Sequence, residues 1–289
     1  MKLRSTFCYL LILSVFAACK DAPEQIPVYL QLEPFMVNET GGAAWHKITE
    51  GWLYVNGEFL GVYPLPGKAP VLADGDSQIL LFPGVKENGY DDTPNIYDFL
   101  TRYETKANLT PGTTAVIQPS TQYKTDITFA WSLERSTFDF GSSVVISNRD
   151  DDEATGFELT TVGAFAGQSI KMAVDTAHPV INIVTEQAAL PYDGAHQVWL
   201  ELNYRNDMPF TLWLYGTTGT SAEQQTPIYQ FTNSEQWNKI YLNLTDFVAQ
   251  AGQEKQRLFF GVKLPTDASG KYTQLSGTVY LDNIRLVHF

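Results

Sequence analysis

The chain has 289 residues, a formal net charge of −13, 44% hydrophobic residues and 13% aromatic residues. That apolar content can bury a sizeable core and excludes a disordered chain. The acidic balance argues against nucleic acid and anionic lipid headgroups as partners.

The first residues carry an address. Lys2 and Arg4 precede a run from Tyr9 to Ala18 that is apolar except for Ser14. Charge, short apolar core and small residues form the pattern of a secretory signal peptide. The run is shorter than the ~20 residues a membrane-spanning helix needs, and no later stretch qualifies. Phe16-Ala17-Ala18-Cys19 resembles a bacterial lipobox, with Phe16 at the usual leucine position. The resemblance implies that residues 1–18 are a lipoprotein signal peptide and that Cys19 carries the acyl chains. Cys8 would leave with the signal, so no disulfide could form. The alternative is an ordinary secreted protein with a stray cysteine. Two or more acyl chains anchor firmly, at ~0.8 kcal/mol per buried methylene. Lys20-Asp21 resembles the surface-export signal of Bacteroidota lipoproteins, which implies an outer-membrane protein facing the cell exterior. Residues 19–27 form the tether. Lys20 to Pro27 spans at most ~28 Å, which keeps the first folded unit near the membrane.

Beyond the tether, short runs rich in Val, Ile, Tyr, Phe and Thr are broken by Gly, Pro, Asn and Asp. That pattern predicts an all-β chain, a small β-sandwich followed by a larger jelly-roll β-sandwich. The first unit is predicted over 28–125. In WLYVNGEFLGVYPLP, Asn56-Gly57 is a two-residue hairpin turn, because both positions tolerate positive φ. The stretch resembles a PEGA-type surface domain, which implies a small sandwich without catalysis. Lys86 to Tyr103, with Tyr90, Tyr97, Phe99 and Tyr103, reads as a long excursion between strands. It is either a functional loop or a packed flap.

The second unit is predicted over 130–289. GTVYLDNIRLVHF alternates, with Val279 and Leu281 opposite Tyr280 and Asp282. Together with SEQWNKIYLNLTDF, STFDFG and GFELTT, it resembles carbohydrate-binding-module jelly rolls of the galactose-binding-like type. The resemblance implies a core role for Trp237. It also implies a structural calcium, with Glu134, Asp139 and Asp282 as candidate ligands of the hard oxygen type. Ordinary strand-end acids are the alternative. The run from Asp150 to Glu153 lacks calcium-loop spacing and reads as a solvated turn.

Two strands carry the binding expectation. In HQVWLELNYR, Val198, Leu200, Leu202 and Tyr204 share one face, and Trp199, Glu201, Asn203 and Arg205 share the other. In PFTLWLYG, Phe210, Leu212 and Leu214 oppose Thr211, Trp213 and Tyr215. The leucine faces are core. The short turn from Asn206 to Pro209 predicts a hairpin, which would merge the two non-core faces into one surface. Indole and phenol rings beside Arg, Glu and Asn suit a sugar, which offers an apolar ring face and a rim of hydroxyls. The rings are either an open platform or are covered by a loop, the first unit or another protein. The chain is thus expected to be non-catalytic and to bind a glycan or a partner protein. The alternative is an accessory subunit of an outer-membrane assembly, export or uptake complex. The histidines lack metal-ligand spacing, and no nucleophile elbow or phosphate loop is present.

Overall fold

The computed structural model describes residues 24–39, 42–133, 146–150 and 152–289. Cys8, Cys19, Glu134 and Asp139 lie outside them. The fold is all-β, a smaller β-sandwich followed by a larger jelly-roll β-sandwich.

The first ten strands are β1 (Val28–Leu32), β2 (Met36–Val37), β3 (Glu50–Val55), β4 (Glu58–Pro64), β5 (Gly67–Val71), β6 (Gly75–Lys86), β7 (Pro94–Ile96), β8 (Tyr103–Leu109), β9 (Thr114–Ile117) and β10 (Ser120–Thr121). They form a sheet of order β4-β3-β6-β7, with β8 also on β6, a sheet β5-β1-β9, and the pair β10-β2. Leu30, Leu53, Ile79 and Leu81 meet in the core between them. The β3–β4 turn is the predicted Asn56-Gly57 pair, with φ of 52° and 86°. The outer face of this hairpin carries aromatics, with Trp52 stacked on Phe59 at 5.6 Å.

The remaining strands are β11 (Thr128–Leu133), β12 (Ser147–Asn148), β13 (Phe157–Thr160), β14 (Ser169–Asp175), β15 (Val180–Val184), β16 (Val198–Asn206), β17 (Phe210–Thr217), β18 (Gln224–Phe231), β19 (Ser234–Asn243), β20 (Lys255–Lys263) and β21 (Ser276–His288). A short helix, α1 (Thr245–Ala251), joins β19 to β20. One sheet has the order β13-β14-β21-β16-β19, with β11 also on β21; the other runs β12-β15-β20-β17-β18. Leu200 and Leu202 of the first pack with Leu212 and Leu214 of the second in one core.

The expected β16–β17 hairpin does not form. β16 pairs with β19 and β21, whereas β17 pairs with β18 and β20 in the opposite sheet. The connection from Asn206 to Pro209 is an arch across the end of the sandwich. Met208 is fully buried inside it, and a side chain at Gly277 would stand 2.0 Å from the Met208 sulfur. Asn206 braces the arch by donating to the carbonyls of Met208 (2.7 Å) and Thr232 (2.9 Å). A hairpin would have put all the leucines on one side with nothing opposite. Crossing the sandwich lets the two leucine faces bury each other.

Candidate ligand-binding site

Because β16 and β17 lie in different sheets, their outward side chains face opposite ways. The six residues expected on one surface divide into two groups, with different fates.

The β16 group meets the first unit. Trp199, Glu201 and Asn203 are all buried. Val85, Tyr97, Phe99 and Leu100, mostly from the predicted excursion, pack against Trp199, Tyr241 and Val287. Tyr97 meets Trp199 edge-on at 5.4 Å, and Phe99 stacks on Phe289 at 4.8 Å. For Trp199, cover by the first unit is therefore the arrangement found. The excursion is a packed flap at this end.

Within that interface lies a buried charge network. Glu201 accepts hydrogen bonds from Tyr97 Oη at 2.7 Å, from Lys239 Nζ at 2.9 Å and from the Tyr123 hydroxyl. Arg285 donates to Tyr123 at 2.9 Å and to Glu39 at 3.1 Å, and Glu39 also pairs with His46. Burial would raise the Glu201 pKa, but the Lys239 and Arg285 charges outweigh it and hold the carboxyl well below the usual carboxylate range. Burial, reinforced by the Glu201 charge, pushes the Tyr97 and Tyr123 hydroxyls up, so they stay protonated donors. The network joins Glu39, His46, Tyr97 and Tyr123 on one side to Glu201, Lys239 and Arg285 on the other. It ties the two units together through largely buried side chains.

Arg205 and Asn203 complete the β16 face. Asn203 lies near Asn283, with its Oδ1 3.5 Å from Asn283 Nδ2. Arg205 is half-buried over the rings of Tyr280 (4.3 Å) and Trp237 (5.7 Å). Trp237, expected in the core, instead lies half-buried on this outer face and donates to the Gly163 carbonyl at 3.2 Å. Alternation along β19 puts it there, on the side of Lys239 and Tyr241 and opposite the core residue Ile240.

The β17 group lies on the far side of the sandwich. Thr211, Trp213 and Tyr215 point outward there, beside Arg257, Phe259, Gly261 and Lys263 of β20. Trp213 stands opposite Phe259 in register, and Tyr215 stacks on Phe259 with centroids 4.7 Å apart and planes 7° apart. Trp213 and Phe259 are half-buried. Glu223 receives Arg257 at 2.6 Å and Arg149 at 3.1 Å, forming a polar rim. Of these rings Phe259 borders a cavity of about 640 Å³, whose lining also includes Asn182, Thr211, Gln230, Gly261 and Lys263. Gly261 is needed there, since a Cβ would stand 2.9 Å from Thr211 Oγ1 and 3.0 Å from the Phe259 ring. Phe259, Gly261 and Asn182 were not singled out in the sequence. KQRLFFGVK held the signal, because Arg257, Phe259, Gly261 and Lys263 alternate with Leu258, Phe260 and Val262.

Of the three calcium candidates only Asp282 is described. It is buried, and its oxygens accept from Ser169 Oγ at 2.6 Å and from the Asn283 backbone N–H at 2.7 Å. Among the described residues no group of three or more His, Cys, Asp or Glu could hold a metal ion.

Solved structures resemble parts of this chain. A carbohydrate-binding module studied for the promiscuous specificity of the β-sandwich superfamily is 13% identical, covers 93% of this chain and 99% of its own, and has a TM-score of 0.40. The CBM22-2 xylan-binding domain from Paenibacillus barcinonensis Xyn10C is 12% identical over 55% of this chain and 99% of its own, with a TM-score of 0.37. The enzymatically active domain of bacteriophage CBA120 tailspike protein 4 is 13% identical over 50% of this chain and 17% of its own, with a TM-score of 0.32. Likenesses at these identities and TM-scores carry nothing about ligands. No protein-family model matches the chain, so the PEGA-type resemblance of the first unit has no family match behind it. No curated protein matches it either.

Proposed function

We propose that the protein is a non-catalytic glycan-binding protein whose ligand lies on the outer face of β17 and β20. The observation that carries this is the Trp213–Tyr215–Phe259 cluster beside a cavity edged by hydroxyl and amide side chains. A pyranose ring stacks its apolar C–H face on such rings. Its hydroxyls then meet Thr211, Asn182 and Gln230 at the cavity edge. Trp213 and Phe259, left half in water, lose burial energy of ~25 cal/mol per Å², which a stacked sugar recovers. Trp213→Ala is expected to weaken glycan binding by more than ~2 kcal/mol, roughly thirtyfold, since central aromatics dominate such contacts. Titration calorimetry against the best oligosaccharide from a glycan array measures this. Unchanged affinity in Trp213→Ala and Phe259→Ala would remove the proposed site.

The anchor belongs to the same proposal. We propose that Cys19 is acylated and holds the protein at the outer membrane, on the strength of the lipobox-like Phe16-Ala17-Ala18-Cys19 segment. Cys19→Ala is expected to move the protein from the membrane fraction to the soluble fraction, because a firm hold on the bilayer needs the acyl chains. Retention in the membrane fraction would end this part of the proposal.

A further inference from the structure

Charge distinguishes the β17–β20 cavity from three other cavities among the described residues. In a chain of net charge −13 a cavity wall is expected to carry acids. Three other cavities follow that rule. One includes Asp76 beside Lys106, one includes Asp207 and Glu235 beside Arg205, and one includes Asp74. The lining of the β17–β20 cavity has Lys263 and no carboxylate.

Two other cations of this face already have a partner. Arg149 and Arg257 both pair with Glu223. Asp150 reaches the lining only by accepting the Asn182 backbone N–H at 2.9 Å. Its other oxygen accepts from the Asp152 backbone N–H and the Thr155 hydroxyl. Lys263 is exposed at the end of β20, and no ion pair or hydrogen bond of its side chain is found among the described residues. The same holds for the side-chain amides of Asn182 and Gln230. These three groups border the cavity with their donors unspent.

Geometry links this cation to the aromatic platform. Phe259, Gly261 and Lys263 project from the same side of β20, spaced by two residues, so the outer pair stands ~13 Å apart along the strand. At Gly261 between them, Thr211, the Phe259 ring and Asn182 come within 2.9, 3.0 and 3.4 Å of where a Cβ would stand. A short oligosaccharide stacked on Phe259 and Trp213 can therefore reach Lys263.

We infer that the protein selects acidic glycans, with Lys263 receiving a carboxylate or sulfate group carried on a sugar one or two residues from the stacked ring. This inference rests on the glycan-binding proposal above. An ammonium–anion hydrogen bond is stronger than a neutral one, and a bound anion here faces no carboxylate on the cavity wall.

The test uses the full chain and two matched pairs of probes. One pair is an oligogalacturonate and its fully methyl-esterified form; the other is a sulfated carrageenan oligosaccharide and its desulfated form. Cellohexaose serves as a neutral reference. The charged member of at least one pair is expected to bind roughly tenfold tighter, and which pair responds separates carboxylate from sulfate. Lys263→Gln should bring that ratio close to one, and Lys263→Arg should preserve it. Thermal midpoints of both variants confirm folding. A ratio of one in the unaltered protein while a neutral probe binds would overturn the inference and leave the glycan reading standing. A ratio that survives Lys263→Gln would overturn it as well. Failure to bind any of the five probes or any glycan on an array would overturn the glycan reading and this inference with it.

Discussion

Replacing Glu201 by Gln is expected to destabilise the protein by about 3–5 kcal/mol, the usual cost of removing one partner from a buried ion pair. The carboxylate is fully buried and serves Lys239, Tyr97 and Tyr123 together. Arg285 keeps Glu39 as a counterion, so Lys239 is the cation left stranded. Its side chain is almost fully buried and cannot turn to water. At ~2–4 °C per kcal/mol for a chain of this size, the thermal midpoint should fall by roughly 6–20 °C. Adding Lys239→Met should recover more than half of that loss. It removes the stranded ammonium, and the Gln carbonyl can still accept from Tyr97. No recovery would mean that the tyrosine bonds, and not the charge pair, hold the interface.

The same residue sets an acid limit. Its folded pKa lies below the unfolded value of ~4.3, so the unfolded chain binds the proton more readily. The stabilisation is fully present above that unfolded value and is lost as pH falls below it toward the folded value. The unaltered protein should therefore lose thermal stability on acidification below about pH 4 more steeply than the Glu201→Gln, Lys239→Met double variant. Unfolding midpoints measured from pH 7 to pH 3 compare the two slopes.

How much of this was legible in the sequence depends on the range of the contact involved. The Asn56-Gly57 hairpin was legible because two adjacent residues determine it. The faces of β16 and β17 were legible because alternation is a property of one strand. Leu200, Leu202, Leu212 and Leu214 are core as expected, and Trp199 and Trp213 do point away from them. The partner of each strand was not legible. A connection as short as Asp207 to Pro209 is compatible with a hairpin and with an arch between sheets, and only the burial of Met208 in three dimensions separates them. What covers a face was not legible either. Trp199 is buried by Tyr97 and its neighbours, about a hundred residues earlier in the chain. Parity also fails at irregularities. Asn283, with φ of 44°, marks a register shift in β21, after which Arg285 and Val287 point into the interface while Ile284 and Leu286 return to the core.

Trp199→Ala and Trp213→Ala are expected to part company, although both residues lie on the non-core faces of strands consecutive in the chain. Trp199 is 1% exposed and meets Tyr97 edge-on within a dry cluster that joins the two units. Truncating it leaves a void that β16 cannot close, because Leu200 on its other side is fixed in the sandwich core. Such a loss costs about 3–5 kcal/mol, or roughly 6–20 °C in midpoint. The void also sits beside Glu201 and would let water reach the charge network, so the loss should fall at the upper end. Trp213 is half-buried on the opposite sheet, against Phe259 and with solvent over it. Its truncation removes little buried area, and the midpoint should move by no more than ~4 °C. The order reverses for ligand. Trp213→Ala should lose glycan affinity while staying folded. Trp199→Ala should retain affinity at a temperature where it is folded, because its ring lies behind the first unit. A Trp213→Ala variant that melts as early as Trp199→Ala would show that the outer face of β17 is also a packed surface, and the platform assigned to it could not be open to a sugar.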